Sequence, residues 1–156
     1  MTTTQTQPSV KFKKFTYQTS AEWIRNRTGI LRSVGKPAFR VASPPEFRGE
    51  AGIWTPEDLF VASVQVCLMM TFASYAEKMN LPVLSYNCTA EGLLENVDGK
   101  YQFTKITLYP KVLLNQQNPS EVALKALDKA HANCLVANSI RTEVVISPEI
   151  VSLSDR

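Results

Sequence analysis

Three cysteines, Cys67, Cys88 and Cys134, and one histidine, His131, are the side chains best suited to reactive chemistry in this sequence. A thiolate can act as nucleophile, metal ligand or redox group. The three thiols lack the close ligand spacing of a zinc site, and a single imidazole leaves histidine metal sites and proton relays without partners. No glycine-rich loop follows a strand, so the usual phosphate cradle is missing. The sequence therefore points to no cofactor. What remains is the thiols themselves, as redox groups or as core residues.

Position separates the three. Cys67 falls mid-way along an apolar helical segment, on a face shared with Phe60, Ser63, Val64, Met70, Thr71 and Ser74. Two readings stay open for it: a small buried core residue, since free cysteine is among the most buried types, or a reactive thiol. Cys134 sits just before a short helical segment, whose positive end favours a thiolate. Cys88 falls in a strand and reads as structural. Reactivity at Cys67 has a condition attached, because burial disfavours the charged thiolate. A unit charge at about 4 Å is worth roughly 4 kcal/mol at an effective dielectric of 20, enough to offset moderate burial. Arginine suits that task because it stays protonated.

The elements that must position these groups read as follows. Val10 to Ile24 has strand character, Asn26-Arg27-Thr28-Gly29 is a turn, and Ile30–Val34 and Ala38–Ala42 are two short strands. Residues 43–53 carry prolines and glycines and read as a loop. Thr55-Pro56-Glu57-Asp58 starts a helix, with a threonine cap, proline in the first turn and two acids at the positive end. That helix runs to about Met79 and is apolar on every side, so it must be wrapped by sheet or by a partner subunit. Val83–Glu95 and Tyr101–Leu114 are strands joined by an Asp98-Gly99 hairpin turn. Asn118-Pro119-Ser120-Glu121 opens a second helix ending near Asn133. A short helix over 135–140 and a strand over 142–147 follow. The order defines an α+β fold.

Composition narrows the setting. The chain has 156 residues, a length suited to one domain over 11–156 after a flexible polar tail at 1–10. Lys and Arg number 17 against 14 Asp and Glu, and the net charge of +3 gives no dominant basic footprint for nucleic acid. The cluster Lys11, Lys13 and Lys14 beside Phe12 and Phe15 fits a solvated strand face better. An odd, low cysteine count does not suit a secreted disulfide framework, and residues 1–10 lack the apolar stretch of a signal peptide. The longest apolar-rich run, Leu59 to Ala73, reads as too short to span a bilayer. A reducing, cytoplasmic setting with no membrane or nucleic-acid partner follows as the expectation.

Three segments together resemble the OsmC/Ohr family of peroxide reductases (osmotically inducible protein C and organic hydroperoxide resistance protein). They are Pro44-Pro45-Glu46-Phe47-Arg48-Gly49 leading into Thr55-Pro56-Glu57-Asp58-Leu59, the ten-residue step from Glu57 to Cys67, and Ala130-His131-Ala132-Asn133-Cys134. The resemblance implies antiparallel sheets around a long buried helix plus a second helix, in an intertwined homodimer with sites at the subunit interface. It implies that Cys67 is the peroxidatic cysteine and Cys134 the resolving one. Glu57 would then hold the activating arginine, which one branch of the family's pattern places at Arg27, with Arg25 close by, and the other near Arg48. The implied partners are a small hydroperoxide and an external dithiol reductant.

Helix geometry constrains this. A rise of ~1.5 Å per residue puts Glu57 and Cys67 about 15 Å apart along a straight helix, so they share a site only through a kink or a second subunit. Two positions depart from the family pattern. Leu135 follows Cys134 where proline is common, and Trp54 stands near where many members carry glycine or asparagine. Two other functions fit the same residues less well: a non-catalytic small-molecule binder with Cys67 as packing, and a hot-dog-like thioester enzyme.

Overall fold

The computed structural model describes residues 12–115 and 120–153. The polar tail at 1–10 and the Asn118-Pro119 start of the second helix lie outside the described residues. The chain forms two compact units, Met1–Ile53 and Trp54–Arg156.

The first unit is a three-stranded antiparallel sheet of β1 (Ser20–Arg25), β2 (Thr28–Arg32) and β3 (Phe39–Ala42). Val10 and Lys11 of the expected strand lie outside the described residues, and of the rest only the part from Ser20 onward is strand. Phe12, Phe15 and Tyr17 are exposed and outside any strand, so no ladder captures the aromatic alternation there. The β1–β2 turn places Asn26 at φ 48, a left-handed conformation asparagine tolerates. After β3 a 3-10 helix at Pro45–Phe47 turns the loop back on itself. Arg48 is left-handed at φ 63, and a Cβ on Gly49 would stand 1.4 Å from the Ser43 carbonyl oxygen. Only glycine allows that crossing.

The second unit opens with α1 (Pro56–Lys78). Its start is the expected one. Thr55 Oγ1 accepts from the Asp58 amide at 3.1 Å, and Asp58 Oδ2 accepts from the Thr55 amide at 3.0 Å, a reciprocal capping box. The helix is unbroken over 23 residues and ends beside the expected Met79, so it is longer than the apolar-rich run Leu59–Ala73 within it. That corrects the membrane-length argument: by length and composition α1 is long enough and apolar enough to cross a bilayer. Its Val64, Leu68, Phe72 and Ala76 form a stripe at four-residue spacing buried in the core. The expectation of burial on all sides is met on that stripe only, because Val66 and Met70 are about half exposed in the single chain.

β4 (Val83–Val97) and β5 (Lys100–Leu114) form the long antiparallel hairpin, closed by left-handed Asp98 and Gly99. Along β5, Ile106, Leu108, Pro110, Val112 and Leu114 alternate into the core at the strand period of two. α2 (Ser120–Ala132) adds Ala123, Ala126, Leu127 and Ala130 to the same core. Two further strands, β6 (Glu143–Ile146) and β7 (Glu149–Ser152), pair in succession with β5 and run parallel to it. The expected final strand is β6, and β7 was not foreseen. Pro148 interrupts pairing between them without ending it, and Pro110 of β5 lies opposite that break, where the sheet has no partner strand on this edge.

Candidate active site

Cys67 projects from the middle of α1 and is partly buried, one residue from the core position Leu68. Cys134 follows the end of α2 and is fully buried. Both are free thiols, and they touch: the Cys134 thiol hydrogen-bonds the Cys67 sulfur. The turn after Cys134 explains how the pair is held. The Cys134 amide donates to His131 O at 3.2 Å and the Asn138 amide to Cys134 O at 3.0 Å, while Ser139 Oγ donates to Leu135 O at 2.7 Å. These bonds close the chain into a tight turn that ends in the 3-10 helix Ala137–Ser139.

That turn points its backbone donors at sulfur. The amides of Leu135 and Val136 bond Cys67, and those of Val136 and Ala137 bond Cys134. Successive amides gathered on one anion form a nest, a fixed source of partial positive charge. The amide donors expected beside Cys134 are present and serve Cys67 as well, but the thiolate expected at Cys134 does not result, because burial and the neighbouring Cys67 outweigh them there.

The two thiols are driven in opposite directions. For Cys67, burial is the largest influence and pushes the pKa up. The Val136 amide, the Cys134 thiol, the Thr71 hydroxyl and the Leu135 amide together overcome it and bring the group below its ordinary 9.0. For Cys134, burial again leads and raises the pKa. The Ala137 amide opposes it, and the bond to Cys67 and its charge raise it further. Cys67 ionises first and Cys134 stays protonated as its donor. Thr71 Oγ1 also lies 2.8 Å from the Cys67 carbonyl oxygen, so its one proton is shared between that oxygen and the sulfur.

Cys88 lies on β4, where Gln65 Nε2 donates to its carbonyl oxygen at 2.5 Å. Burial raises its pKa against opposing contacts from Tyr86, the Tyr109 backbone and Gln65. The Tyr86 hydroxyl is buried beside it with no well-formed hydrogen bond and is itself pushed up, chiefly by burial. No group of three or more His, Cys, Asp or Glu gathers as a metal site among the described residues.

The remaining site candidates fall elsewhere. Arg27 and Arg48, distant in sequence, line one pocket of the first unit together with Arg25 and Glu50. Arg27 donates to Phe47 O at 2.6 Å, and Glu50 is engaged by Arg40 at 2.7 Å. Glu57 sits in the first turn of α1, and because the helix is continuous it remains about 15 Å along the axis from Cys67. Its Oε2 is buried with no hydrogen-bond partner. The donors that sequence reasoning missed are the amides of residues 135–137. Their one visible signal is Leu135 itself, since a proline there would have no N–H to give.

An α+β scaffold holding a buried thiol against a more acidic one defines a paired-thiol protein. The chain belongs to the OsmC-like family: the family model described as OsmC-like protein matches residues 49–149. It is 25% identical over 134 residues to YmaD of Bacillus subtilis (strain 168), described as uncharacterized, covering 83% of this chain and 89% of that protein. Among solved structures it is similar to an OsmC-like protein of unknown function from Vibrio cholerae, at 29% identity and a TM-score of 0.80, covering 86% of this chain and 99% of the other. It is also similar to a Legionella pneumophila protein described as organic hydroperoxide resistance protein OsmC, at 25% identity and a TM-score of 0.67, covering 90% and 99%.

Proposed function

We propose that the protein is a thiol-dependent peroxidase that reduces organic hydroperoxides at Cys67 and resolves through Cys134. The observation that carries this reading is the opposed ionisation of two touching thiols, one poised as thiolate and the other kept as its proton donor. The family and the Legionella relative's description support the substrate class.

The Cys67 thiolate attacks the outer peroxide oxygen. The S–O bond forms, the O–O bond breaks, and the alkoxide leaves and is protonated to the alcohol. Cys67 is then a sulfenic acid. The Cys134 sulfur attacks it, forming the Cys67–Cys134 disulfide and releasing water. An external dithiol restores both thiols by exchange and is itself oxidised to a disulfide. No cofactor is needed, since the two electrons come from the dithiol.

The buried Oε2 of Glu57, which has no hydrogen-bond partner, supports a further part of the reading. A guanidinium from Arg27 or Arg48 pairs with it and assists the peroxide, with the second copy of a homodimer completing the site. The half-exposed Val66 and Met70 on α1 support that dimer, which would cover them. A dithiol-dependent reaction fits a reducing, cytoplasmic setting.

The test is consumption of cumene hydroperoxide by the purified protein with dithiothreitol. Cys67→Ser should lose all turnover. Cys134→Ser should give a single burst and accumulate the sulfenic acid at Cys67, trapped with dimedone and read by mass spectrometry. Turnover by Cys67→Ser equal to wild type sinks the reading.

A further inference from the structure

The amide donors around the two sulfurs are held from behind. A peptide unit is planar, and in its trans form the carbonyl oxygen and the next residue's N–H point in opposite directions. Holding the oxygen therefore aims the N–H. The described residues contain no cis peptide bond, and three consecutive peptide planes after Cys134 are each held in this way. Cys134 O accepts from the Asn138 amide at 3.0 Å, and the same plane carries the Leu135 N–H that bonds Cys67. Val136 O accepts from the Ser139 amide at 3.0 Å, and that plane carries the Ala137 N–H that bonds Cys134. Between them, Leu135 O accepts from Ser139 Oγ at 2.7 Å, and its plane carries the Val136 N–H, which bonds both sulfurs.

The middle plane differs from its neighbours in what holds it. The outer two are held by backbone amides, which any residue but proline supplies. The middle one is held by a hydroxyl, so the residue type at 139 decides whether the hold exists. It is also the plane that matters most to the nucleophile, because the Val136 amide leads the groups that lower the Cys67 pKa. Those groups are Thr71 on α1 and Cys134, Leu135 and Val136 on this turn, with no charged side chain among them. The aim of each donor therefore counts. Ser139 itself is exposed, so its side chain has no part in the core.

We propose that Ser139 is a positioning residue for the nucleophile: by holding the Leu135 carbonyl oxygen it turns the Val136 N–H onto the Cys67 sulfur. It acts through the peptide plane and not on the sulfur itself. A donor oriented beforehand needs no rearrangement when the charge appears. Without the hydroxyl the plane is free to tilt, and a hydrogen bond weakens steeply as its angle closes. The effect on the sulfur stands apart from the peroxidase reading above, whereas its consequence for turnover rests on that reading.

Iodoacetamide alkylation of Cys67 across a pH series, with Cys88 as internal reference, reads the effect. Ser139→Ala should slow Cys67 at pH 7 by about threefold, as for partial loss of one hydrogen bond to a charged group. The deficit should close at high pH, where the thiolate is complete in both proteins. Ser139→Thr keeps the hydroxyl and should recover most of the rate. Asn138→Ala removes a side-chain bond of the same kind, from Nδ2 to Ala132 O at 3.0 Å. That plane carries the Asn133 N–H, which goes to Lys129 O at 3.1 Å and not to sulfur, so this variant should slow Cys67 less. By NMR, the Val136 amide signal of wild type should titrate with Cys67, and its shift should shrink in Ser139→Ala. A wild-type pH profile in Ser139→Ala overturns the assignment. So does an equal loss in Ser139→Thr or Asn138→Ala, which would give the effect to the turn as a whole. A Val136 signal that ignores Cys67 in wild type overturns it without any variant. Under the peroxidase reading, kcat/KM for cumene hydroperoxide at pH 7 should fall by the same factor as alkylation. If no peroxide is consumed while the alkylation deficit stands, the peroxidase reading fails and the positioning role holds.

Discussion

Cys67 and Cys88 are both partly buried thiols, and burial is the largest influence on each, yet one pKa falls and the other rises. Exposure does not distinguish them; the donors do. Cys67 faces two amides of a turn braced by its own hydrogen bonds, a neighbouring thiol and a hydroxyl. Cys88 is opposed by Tyr86, the Tyr109 backbone and Gln65, and burial still prevails. The lesson is that a thiolate in an apolar setting needs donors whose positions are fixed before the charge appears. A turn closed by bonds such as Asn138 N–H to Cys134 O supplies them without further ordering cost.

The sharpest break in the comparison comes from removing each sulfur. Cys67→Ser should reduce peroxide turnover to background, while Cys88→Ser should keep kcat/KM within about twofold, a change worth less than 0.5 kcal/mol. Loss of turnover in Cys88→Ser would remove the distinction between the sites.

Ionisation comes next. At pH 7 iodoacetamide should alkylate Cys67 about tenfold faster than Cys88 or more, since each unit of pKa difference changes the thiolate fraction tenfold in this range. The sign fixes the pH dependence. The Cys67 rate rises with pH and levels off once pH passes its pKa, below 9.0, whereas the Cys88 rate is still rising above 9.0. Peptide-resolved mass spectrometry across pH 5 to 10 reads both curves, and coincident curves contradict the comparison.

A smaller effect is expected from the turn. Leu135→Pro deletes one amide donor to Cys67. It should slow alkylation and turnover at neutral pH by about threefold to tenfold, as for one hydrogen bond to a charged group, and the deficit should close at high pH. Leu135→Ala keeps the N–H, and because the side chain is 77% exposed it should behave as wild type. Equal rates for the proline and alanine variants, both folded by circular dichroism, would mean the amide does nothing for the sulfur.

These donors show where sequence reading reaches its limit. The α1 start and the Asp98-Gly99 turn were legible because each is specified within a few residues by side-chain chemistry. The stretch before Ser20 was overread, because strand formation depends on a partner that periodicity does not reveal. β7 was missed because Pro148 follows the expected final strand directly, and only the structure shows that it breaks the spacing between two strands on the same edge. At the site, the contact between Cys67 and Cys134 came from the resemblance and not from spacing. The convergence of Arg27 and Arg48 on one pocket depends on a loop crossing that only Gly49 permits. The amides of residues 135–137 were invisible for a simpler reason: every residue except proline carries one, and only the turn aims them.

Thr71 should show the smallest effect, and it sets the scale for side-chain as against backbone donors. Its hydroxyl has one proton and two acceptors, the Cys67 carbonyl oxygen at 2.8 Å and the sulfur. A threonine in a helix is restricted at χ1, so the hydroxyl reaches the carbonyl one turn back with little ordering cost. The sulfur therefore receives the proton for only part of the time. Thr71→Val conserves shape and removes the donor, and should slow Cys67 alkylation at pH 7 by about two- to threefold, less than one full hydrogen bond to a charged group. The carbonyl it leaves behind still accepts within the helix, so stability should change little. If Thr71→Val slows Cys67 more than Leu135→Pro does, the hydroxyl outranks the turn amide at the sulfur, and the contrast with Cys88 would rest on a side chain and not on fixed backbone.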